Sequence, residues 1–305
     1  MTNDELRRIV EDEIRRALRD APGAAPAPAA PAPAPAPRRP GIARWLRDEE
    51  PPPRPRPPEP APIANPKPSG IARPANPELL QRFLAASPSR LGVGRAGARY
   101  LTDVYLGLRA DHAVAKDAVL SESAEGFPES LGCVPLESCC KDKQEYLLFP
   151  DHGRRLDEQS QARLAQEATR GADIQLIVGD GLSAWAAERN APELLPLMQQ
   201  ELARAGYSVG RPLFVRFARV GVQDHVGVLT GAKATVIMLG ERPGLGTGDS
   251  LSVYVAYGPR LDQDNAEKNC ISNVRALGIR PPEAARETCE ILRRAFAAGR
   301  GGIAA

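Results

Sequence analysis

Three short polar segments have the composition of a binding site for a large polar ligand. Each follows an apolar run and sets glycines or small polar residues around one functional side chain. The segments are Val178–Ser183, Leu239–Leu245 and the predicted loop Lys268–Asn273, and the side chains are Asp180, Glu241 and Cys270. Because ligands of open α/β sheets gather beyond the carboxyl ends of the strands, we expect the three segments to meet there.

Each of these side chains also has a plainer structural interpretation, and the sequence leaves both open. Asp180 precedes a glycine and would serve as a helix cap or turn former. Glu241 and Arg242 would form a local ion pair that closes a turn. Cys270 would be a small buried residue, which is the usual fate of a free cysteine.

The sequence contains no recognisable catalytic constellation. It lacks the GxxxxGK[ST] phosphate loop, a GxGxxG after a strand and the GxSxG nucleophile elbow. His112, His152 and His225 are scattered along the chain, so we assign no catalytic role to them. The cysteines do not have the paired CxxC spacing of a zinc site, and we predict no metal site. From the residues alone, the chain is predicted to bind a ligand through an α/β domain.

Composition excludes several classes of function. The chain has 40 basic and 38 acidic residues, of which 27 and 28 lie in 78–305, so this body offers no footprint for nucleic-acid phosphates. No apolar run approaches the roughly 20 residues that span a bilayer, and the N-terminus lacks the apolar core of a secretory signal. Five irregularly spaced cysteines are typical of reduced thiols. We therefore expect a soluble, intracellular protein.

Proline divides the chain into three segments. Residues 1–20 have the apolar spacing of a short amphipathic helix, which we expect to dock on a partner or serve in targeting. Residues 21–77 hold 20 of the 31 prolines and form a predicted disordered, Pro/Ala-rich linker. Residues 78–305 are long enough for one well-buried domain with a helical part at its start.

The body has the pattern of a three-layer α/β domain, with a mostly parallel sheet covered by helices on both faces. The predicted strands are 173–178, 213–220, 234–239 and 251–257. The predicted helices are 77–86, 98–120, 156–169, a segment 183–205 interrupted near Pro192 and Pro196, and 281–298. The helix 98–120 carries a predicted inward stripe that includes Tyr105 and His112.

Six motifs in order make the body resemble a known family. They are Gly94–Gly97, Ala110–His112 with Lys116–Val119, Pro150–Leu156, Asp180–Ser183, Gly240–Leu245 and Asn269–Asn273. Together they resemble the small subunit (light chain) of ethanolamine ammonia-lyase over about 91–303, and the leading helix also looks like that family's N-terminus. The resemblance implies an adenosylcobalamin-dependent carbon–nitrogen lyase that converts ethanolamine to acetaldehyde and ammonia.

In that family the large subunit holds the substrate and the catalytic residues, and the small subunit binds the cobalamin at the interface between the two. Carried over residue by residue, the resemblance assigns cofactor contacts to Val220, Glu241 and Cys270. The chain lacks the DxHxxG signature for replacing the lower base of the cobalamin by histidine, so a base-on cofactor is expected. The family also suggests six copies of each subunit and, in many bacteria, a protein-shelled microcompartment whose shell or cargo proteins the N-terminal helix would contact.

Two other functions compete with this interpretation. One is a non-catalytic scaffold or adaptor that recruits partners through its terminal helix and proline-rich linker. The other is a stand-alone α/β enzyme acting on a nucleotide or sugar. Cobalamin binding in the presence of the large subunit separates the first interpretation from both alternatives.

Overall fold

A computed structural model describes residues 69–86 and 89–302. The predicted amphipathic helix 1–20 and most of the predicted linker 21–77 lie outside the described residues. The described part of the chain carries eight α-helices and eight strands. The helices are α1 (Pro77–Ala86), α2 (Thr102–Leu120), α3 (Phe127–Ser130), α4 (Lys143–Leu148), α5 (Glu158–Glu167), α6 (Ala184–Arg204), α7 (Val222–Thr230) and α8 (Pro281–Ala298). The strands are β1 (Arg95–Ala96), β2 (Arg99–Tyr100), β3 (Val134–Glu137), β4 (Ile174–Gly179), β5 (Leu213–Arg216), β6 (Ala234–Gly240), β7 (Leu251–Tyr257) and β8 (Lys268–Val274).

Six strands form one mixed sheet in the order β3-β5-β4-β6-β7-β8. The pairings from β3 to β6 are parallel, and β7 and β8 continue the sheet in antiparallel fashion. β1 and β2 form a separate antiparallel hairpin. The predicted α/β class with a mostly parallel sheet is confirmed, and the antiparallel edge makes the sheet mixed.

Helices cover both faces of this sheet. Two neighbouring residues of β4 demonstrate this cover. Leu176 and Ile177 point to opposite faces of the sheet, and both are fully buried. Leu176 belongs to the apolar core shared with α6 and α8, and Ile177 to the core shared with α5 and α7. A strand buried on both faces reads as a continuous apolar run, so the predicted three-layer arrangement is confirmed.

Two strands of the sheet lie where the sequence predicts no strand. The predicted loop Lys268–Asn273 is mostly polar, and in the structure it forms β8 (Lys268–Val274), whose buried apolar residues are Ile271 and Val274. β3 (Val134–Glu137) lies between the predicted helices 98–120 and 156–169, where no strand is predicted, and it contains Pro135. Both are edge strands, where a proline or a polar face is tolerated, so neither has a strong apolar signal.

The predicted break in the helix after β4 is wrong. α6 runs without interruption through Pro192 and Pro196. Both prolines are exposed, so the carbonyl groups that lose their helical partners lie on the solvent side and can bond to water. The opposite side buries residues such as Leu194 and Met198 against the sheet and α8, which holds the helix together.

Two further boundaries differ from the predictions. The strand predicted over 213–220 ends at Arg216, because the next residue, Phe217, adopts a left-handed backbone conformation with φ of 54°. In α2 the inward side passes through Ala115 and Ala118, whereas Tyr105 and His112 of the predicted stripe are exposed. The smallest side chains therefore make the buried contact of α2. No helix in the described ranges is long and apolar enough to cross a membrane.

Candidate functional site

The three predicted polar segments meet at one edge of the sheet, as expected. The amide of Leu182, after β4, donates to the carbonyl of Gly240 at the end of β6 (3.0 Å). The amide of Asn273, near the end of β8, donates to Oε1 of Glu241 (3.0 Å). The third segment, Lys268–Asn273, does not reach this edge from the end of β7. Because β7 is antiparallel to β6, its carboxyl end lies at the opposite edge of the sheet. It is β8, running back alongside β7, that returns the third segment to this edge.

A cavity of about 390 Å³ opens at this edge and contains two of the three predicted site residues, Val220 and Glu241. We call it the Glu241 cavity. Its lining consists of Tyr146, Leu182, Arg219, Val220, Leu239, Gly240, Glu241, Arg242, Ser252, Tyr254 and Ser272. Hydroxyl groups, one carboxylate and two guanidinium groups stand among apolar side chains here. This mixture suits a large ligand with a polar rim.

Glu241 is fixed in the cavity by three hydrogen-bond donors. The hydroxyl groups of Ser250 and Ser252 donate to its two carboxylate oxygens, and the amide of Asn273 is the third donor. In the described part of the chain Glu241 forms no ion pair with Arg242, so the interpretation as a local ion pair is wrong. A carboxylate has about four acceptor positions, which leaves room for one more donor from a ligand.

Cys270 lies beside the cavity rather than in its lining. It is opposite Tyr254 in the β7–β8 ladder. The residue is exposed, so its interpretation as a small buried residue is wrong. Desolvation of the sulfur raises the pKa of the Cys270 thiol, so the group is protonated at neutral pH and offers packing rather than a nucleophile.

Val220 is presented by the loop 217–221 between β5 and α7, and side chains from distant segments hold this loop. The Tyr146 hydroxyl donates to the carbonyl of Ala218 (3.1 Å). The Ser138 hydroxyl donates to the carbonyl of Phe217 (3.0 Å). Such bonds stabilise the left-handed conformation of Phe217, which a bulky residue rarely adopts.

Asp180 is the buried anchor of the same loop. Its side chain is fully buried, and it accepts from the amide of Ala218 (3.2 Å). Burial raises the pKa of this carboxyl, while the nearby Lys143 ammonium and backbone amides act in the opposite direction. The cap of α6 is Ser183, whose hydroxyl accepts from the amide of Ala186. The helix-cap interpretation of Asp180 is therefore wrong, since its carboxyl ties the end of β4 to the loop that carries Val220.

Tyr146 and Arg219 also line the cavity, and no sequence pattern predicts either of them as a site residue. The guanidinium of Arg219 lies 4.1 Å from the centre of the Tyr146 ring and donates to the Tyr146 carbonyl (2.7 Å). The two residues are 73 positions apart in the chain. No local pattern marks such a pair; only the fold brings α4 to the loop after β5.

Comparison with known proteins identifies the family. The family model described as ethanolamine ammonia-lyase light chain (EutC) matches residues 77–305. An ethanolamine ammonia-lyase small subunit of Clostridium perfringens is 40% identical over 223 residues, covering 73% of this chain and 76% of the relative. The small subunit of Fusobacterium nucleatum subsp. nucleatum is 39% identical over 232 residues (76% and 79%), and that of Clostridium acetobutylicum is 39% identical over 215 residues (70% and 89%). The chain belongs to the ethanolamine ammonia-lyase light-chain family.

Membership in this family confirms the resemblance seen in the six motifs. The match begins at residue 77, where the proline-rich segment ends, and so extends further than the range 91–303 in which the motifs lie. The proposed boundaries at residues 20 and 77 stay predictions.

The histidines of this light chain lie away from the Glu241 cavity. His152 contacts Glu145 through Nδ1 (2.6 Å), and Nδ1 of His225 accepts from the amide of Leu156 (3.0 Å). His112 is exposed on α2. Among the described residues no group of three His, Cys, Asp or Glu side chains could hold a metal ion. The cavity is thus equipped for binding and orientation by hydrogen bonds.

Proposed function

We propose that this chain is the cobalamin-binding small subunit of an adenosylcobalamin-dependent ethanolamine ammonia-lyase. The family and its relatives are named as light chains or small subunits of ethanolamine ammonia-lyase, and a small subunit implies a large partner. The single observation that carries the cofactor assignment is the Glu241 carboxylate, held by three donors in a cavity that also contains Val220. The cavity lies at the interface with the large subunit in this proposal.

The residues present fit a corrinoid. A corrin rim carries carboxamide arms, which donate through NH₂ and accept through C=O. Glu241 has an acceptor position left, and a hydrogen bond to a carboxylate is stronger than one between neutral groups. The carbonyl of Val220 accepts one long bond from within the described residues, from the amide of Gln223 (3.3 Å), and has a second lone pair. The thiol of Cys270 adds a small, neutral contact beside Tyr254.

The chemistry divides between cofactor and protein. Adenosylcobalamin, when bound, supplies the radical that starts the conversion of ethanolamine to acetaldehyde and ammonia. This chain binds the corrin and fixes its orientation through Glu241 and the loop that carries Val220. We assign it no catalytic residue, and we place the substrate site and the catalytic groups on the large subunit.

The cofactor keeps its own lower base in this proposal. Each of the three histidines lies outside the Glu241 cavity, and His152 and His225 already have hydrogen-bond partners. A protein histidine is therefore not positioned by this chain to replace the dimethylbenzimidazole. The cobalamin would bind base-on.

Assembly and location follow from the family resemblance. We propose a hetero-oligomer with six copies of each subunit. The predicted helix 1–20 would address the complex to a microcompartment, through contact with shell or cargo proteins, where the organism makes such a shell, and the enzyme would stay in the cytoplasm where it does not. Deleting 1–20 should change location or solubility without changing turnover; a collapse of turnover would contradict this role.

Reconstitution tests the proposed function. The full chain is mixed with the large subunit and adenosylcobalamin, excess cofactor is removed by gel filtration, and visible absorbance and acetaldehyde production are measured. We expect retained cobalamin and turnover only when both chains are present. Turnover by this chain alone would indicate a stand-alone enzyme. Full turnover by the large subunit alone would leave this chain in an adaptor role.

A further inference from the structure

A second cavity adjoins the Glu241 cavity. It has a volume of about 360 Å³, and the two cavities share Arg219 and Val220 in their linings. The other residues lining the second cavity include Arg154, Arg155, Asp224, Asp262, Asp264 and Lys268. Ligand pockets for small molecules measure roughly 300–1,000 Å³, so the Glu241 cavity alone is at the small end of this range. The shared residues Arg219 and Val220 form the boundary across which a large ligand seated against Glu241 can reach the second cavity.

Most charges in this second cavity are already paired. The ammonium of Lys268 and a carboxylate oxygen of Asp224 form a fully buried ion pair (2.8 Å). Arg155 pairs with Asp262 (2.7 Å). The Asp264 carboxylate accepts from the amide of Ala266 (3.0 Å) at the start of a short 3₁₀ turn.

Arg219 differs from the other basic residues of this lining. Arg154 has a carboxylate partner in Asp151 (3.4 Å), whereas Arg219 has no carboxylate partner in the described part of the chain. Its guanidinium is half-buried, stacked on the Tyr146 ring and bonded to a neutral carbonyl. A guanidinium held in this way loses little side-chain entropy when it binds an anion. The wall between the two cavities thus presents a fixed guanidinium whose partners among the described residues are the neutral Tyr146 carbonyl and ring.

We propose that Arg219 binds the phosphodiester of the cobalamin nucleotide tail. This inference rests on the proposed function, since it concerns the same ligand. The carboxamide arms of the corrin are neutral, and the phosphodiester is the anionic group of the tail. The planar guanidinium fork matches the geometry of phosphate oxygens. The two cavities then divide the ligand, with the corrin rim against Glu241 and the nucleotide tail beyond Arg219.

Three corrinoids test the proposal on the complex with the large subunit. Adenosylcobinamide lacks the nucleotide tail, adenosylcobinamide phosphate restores the phosphate without the base, and adenosylcobalamin is complete. We expect Arg219→Gln to weaken binding of the two phosphate-containing ligands by about tenfold, as for a hydrogen bond to a charged group. Affinity for adenosylcobinamide should stay within about twofold of wild type. Arg219→Lys should recover part of the loss, and the surface variant Arg293→Gln should behave as wild type.

Each other outcome is informative. Equal weakening for all three ligands, or no weakening, would overturn the role of Arg219. If Arg219→Gln lowers subunit association without any corrinoid, the guanidinium pairs with the large subunit instead. If Arg219→Gln does not fold, the affinities of the wild-type complex test the proposal instead. Equal affinity of the wild-type complex for adenosylcobinamide and adenosylcobinamide phosphate would overturn it. If the wild-type complex binds none of the three ligands, the proposed function itself fails.

Discussion

The hydroxyl of Tyr146 in α4 donates to the carbonyl of Ala218, two residues before Val220, across 72 positions of sequence (3.1 Å). Tyr146 is almost fully buried, and its pKa is raised by burial, so the phenol is a neutral donor. The bond ties a helix to the loop after β5. This loop is therefore held by tertiary contacts, and its conformation before the ligand binds is set by α4 as well as by its own sequence.

Removing that hydroxyl gives the first prediction. Tyr146→Phe leaves the Ala218 carbonyl without its donor, so we expect a loss of about 1–3 kcal/mol in the free energy of unfolding and weaker corrinoid binding. Urea unfolding and cobalamin titration of the complex measure the two effects. Tyr207→Phe is the matched control, because that ring packs on Phe296 on the other face of the sheet. Wild-type stability in Tyr146→Phe would show that the bond contributes nothing.

The carboxylate of Glu241 gives the second prediction. Glu241→Ala removes the acceptor that three donors surround, and we expect cobalamin affinity of the reconstituted complex to fall by roughly 1–3 kcal/mol. Visible absorbance during a cobalamin titration reports the change. Glu290→Ala removes an exposed carboxylate of α8 that pairs with Arg293, and it should bind as wild type. Unchanged affinity in Glu241→Ala would remove Glu241 from the site.

Protection of cysteines gives the third prediction. Cys270 and Cys139 are both exposed, and desolvation raises the pKa of both thiols, so both should react slowly with iodoacetamide at neutral pH. Adding adenosylcobalamin to the complex should slow alkylation of Cys270 and leave Cys139 unchanged. Mass spectrometry of the alkylated peptides measures each rate. A bound cofactor that leaves the alkylation rate of Cys270 unchanged is not bound next to Cys270.

The fourth prediction concerns pH. Burial, and to a lesser degree Arg155, lowers the pKa of His225 below its ordinary value of 6.5, and its Nδ1 accepts from the amide of Leu156. The unfolded chain therefore takes up a proton near pH 6.5 that the folded chain resists. The stability contributed by neutral His225 is fully present above that pH and is lost as the pH falls toward the folded pKa.

Urea unfolding at pH 7.5 and 5.0 measures this dependence. In His225→Asn the side-chain oxygen can accept from Leu156 without titrating, so the fall in unfolding free energy between the two pH values should be smaller than in wild type. His112→Asn alters an exposed histidine of α2 and is the matched control for the substitution itself. An unchanged slope in His225→Asn would contradict the role of His225.

The elements predicted well from sequence carry local signals. α8 occupies the predicted range, because prolines open it, Gly299 adopts the left-handed conformation that closes it, and its buried stripe has helical spacing. β6 and β7 are long apolar runs buried in the sheet. β8 gives a weak signal, because five of its seven residues are polar or cysteine and the pairing with β7 decides its conformation.

The candidate site could be predicted only in part, for a related reason. The glycine-rich segments that follow β4 and β6 can be recognised in the sequence, and they do converge around Glu241. The residues that hold the loop of Val220 lie far away in the chain, as Tyr146 and Ser138 show. Tyrosine and serine are common residues, and these two do not belong to any recognisable sequence motif. Only the packed structure therefore identifies them.

A structure of the reconstituted complex with adenosylcobalamin would test the proposed binding site most directly. We expect the corrin to lie against the carboxyl ends of β5 and β6, with an amide arm within hydrogen-bond distance of the Glu241 carboxylate and the rim in contact with Val220. A corrin bound in the complex but remote from both residues would contradict it.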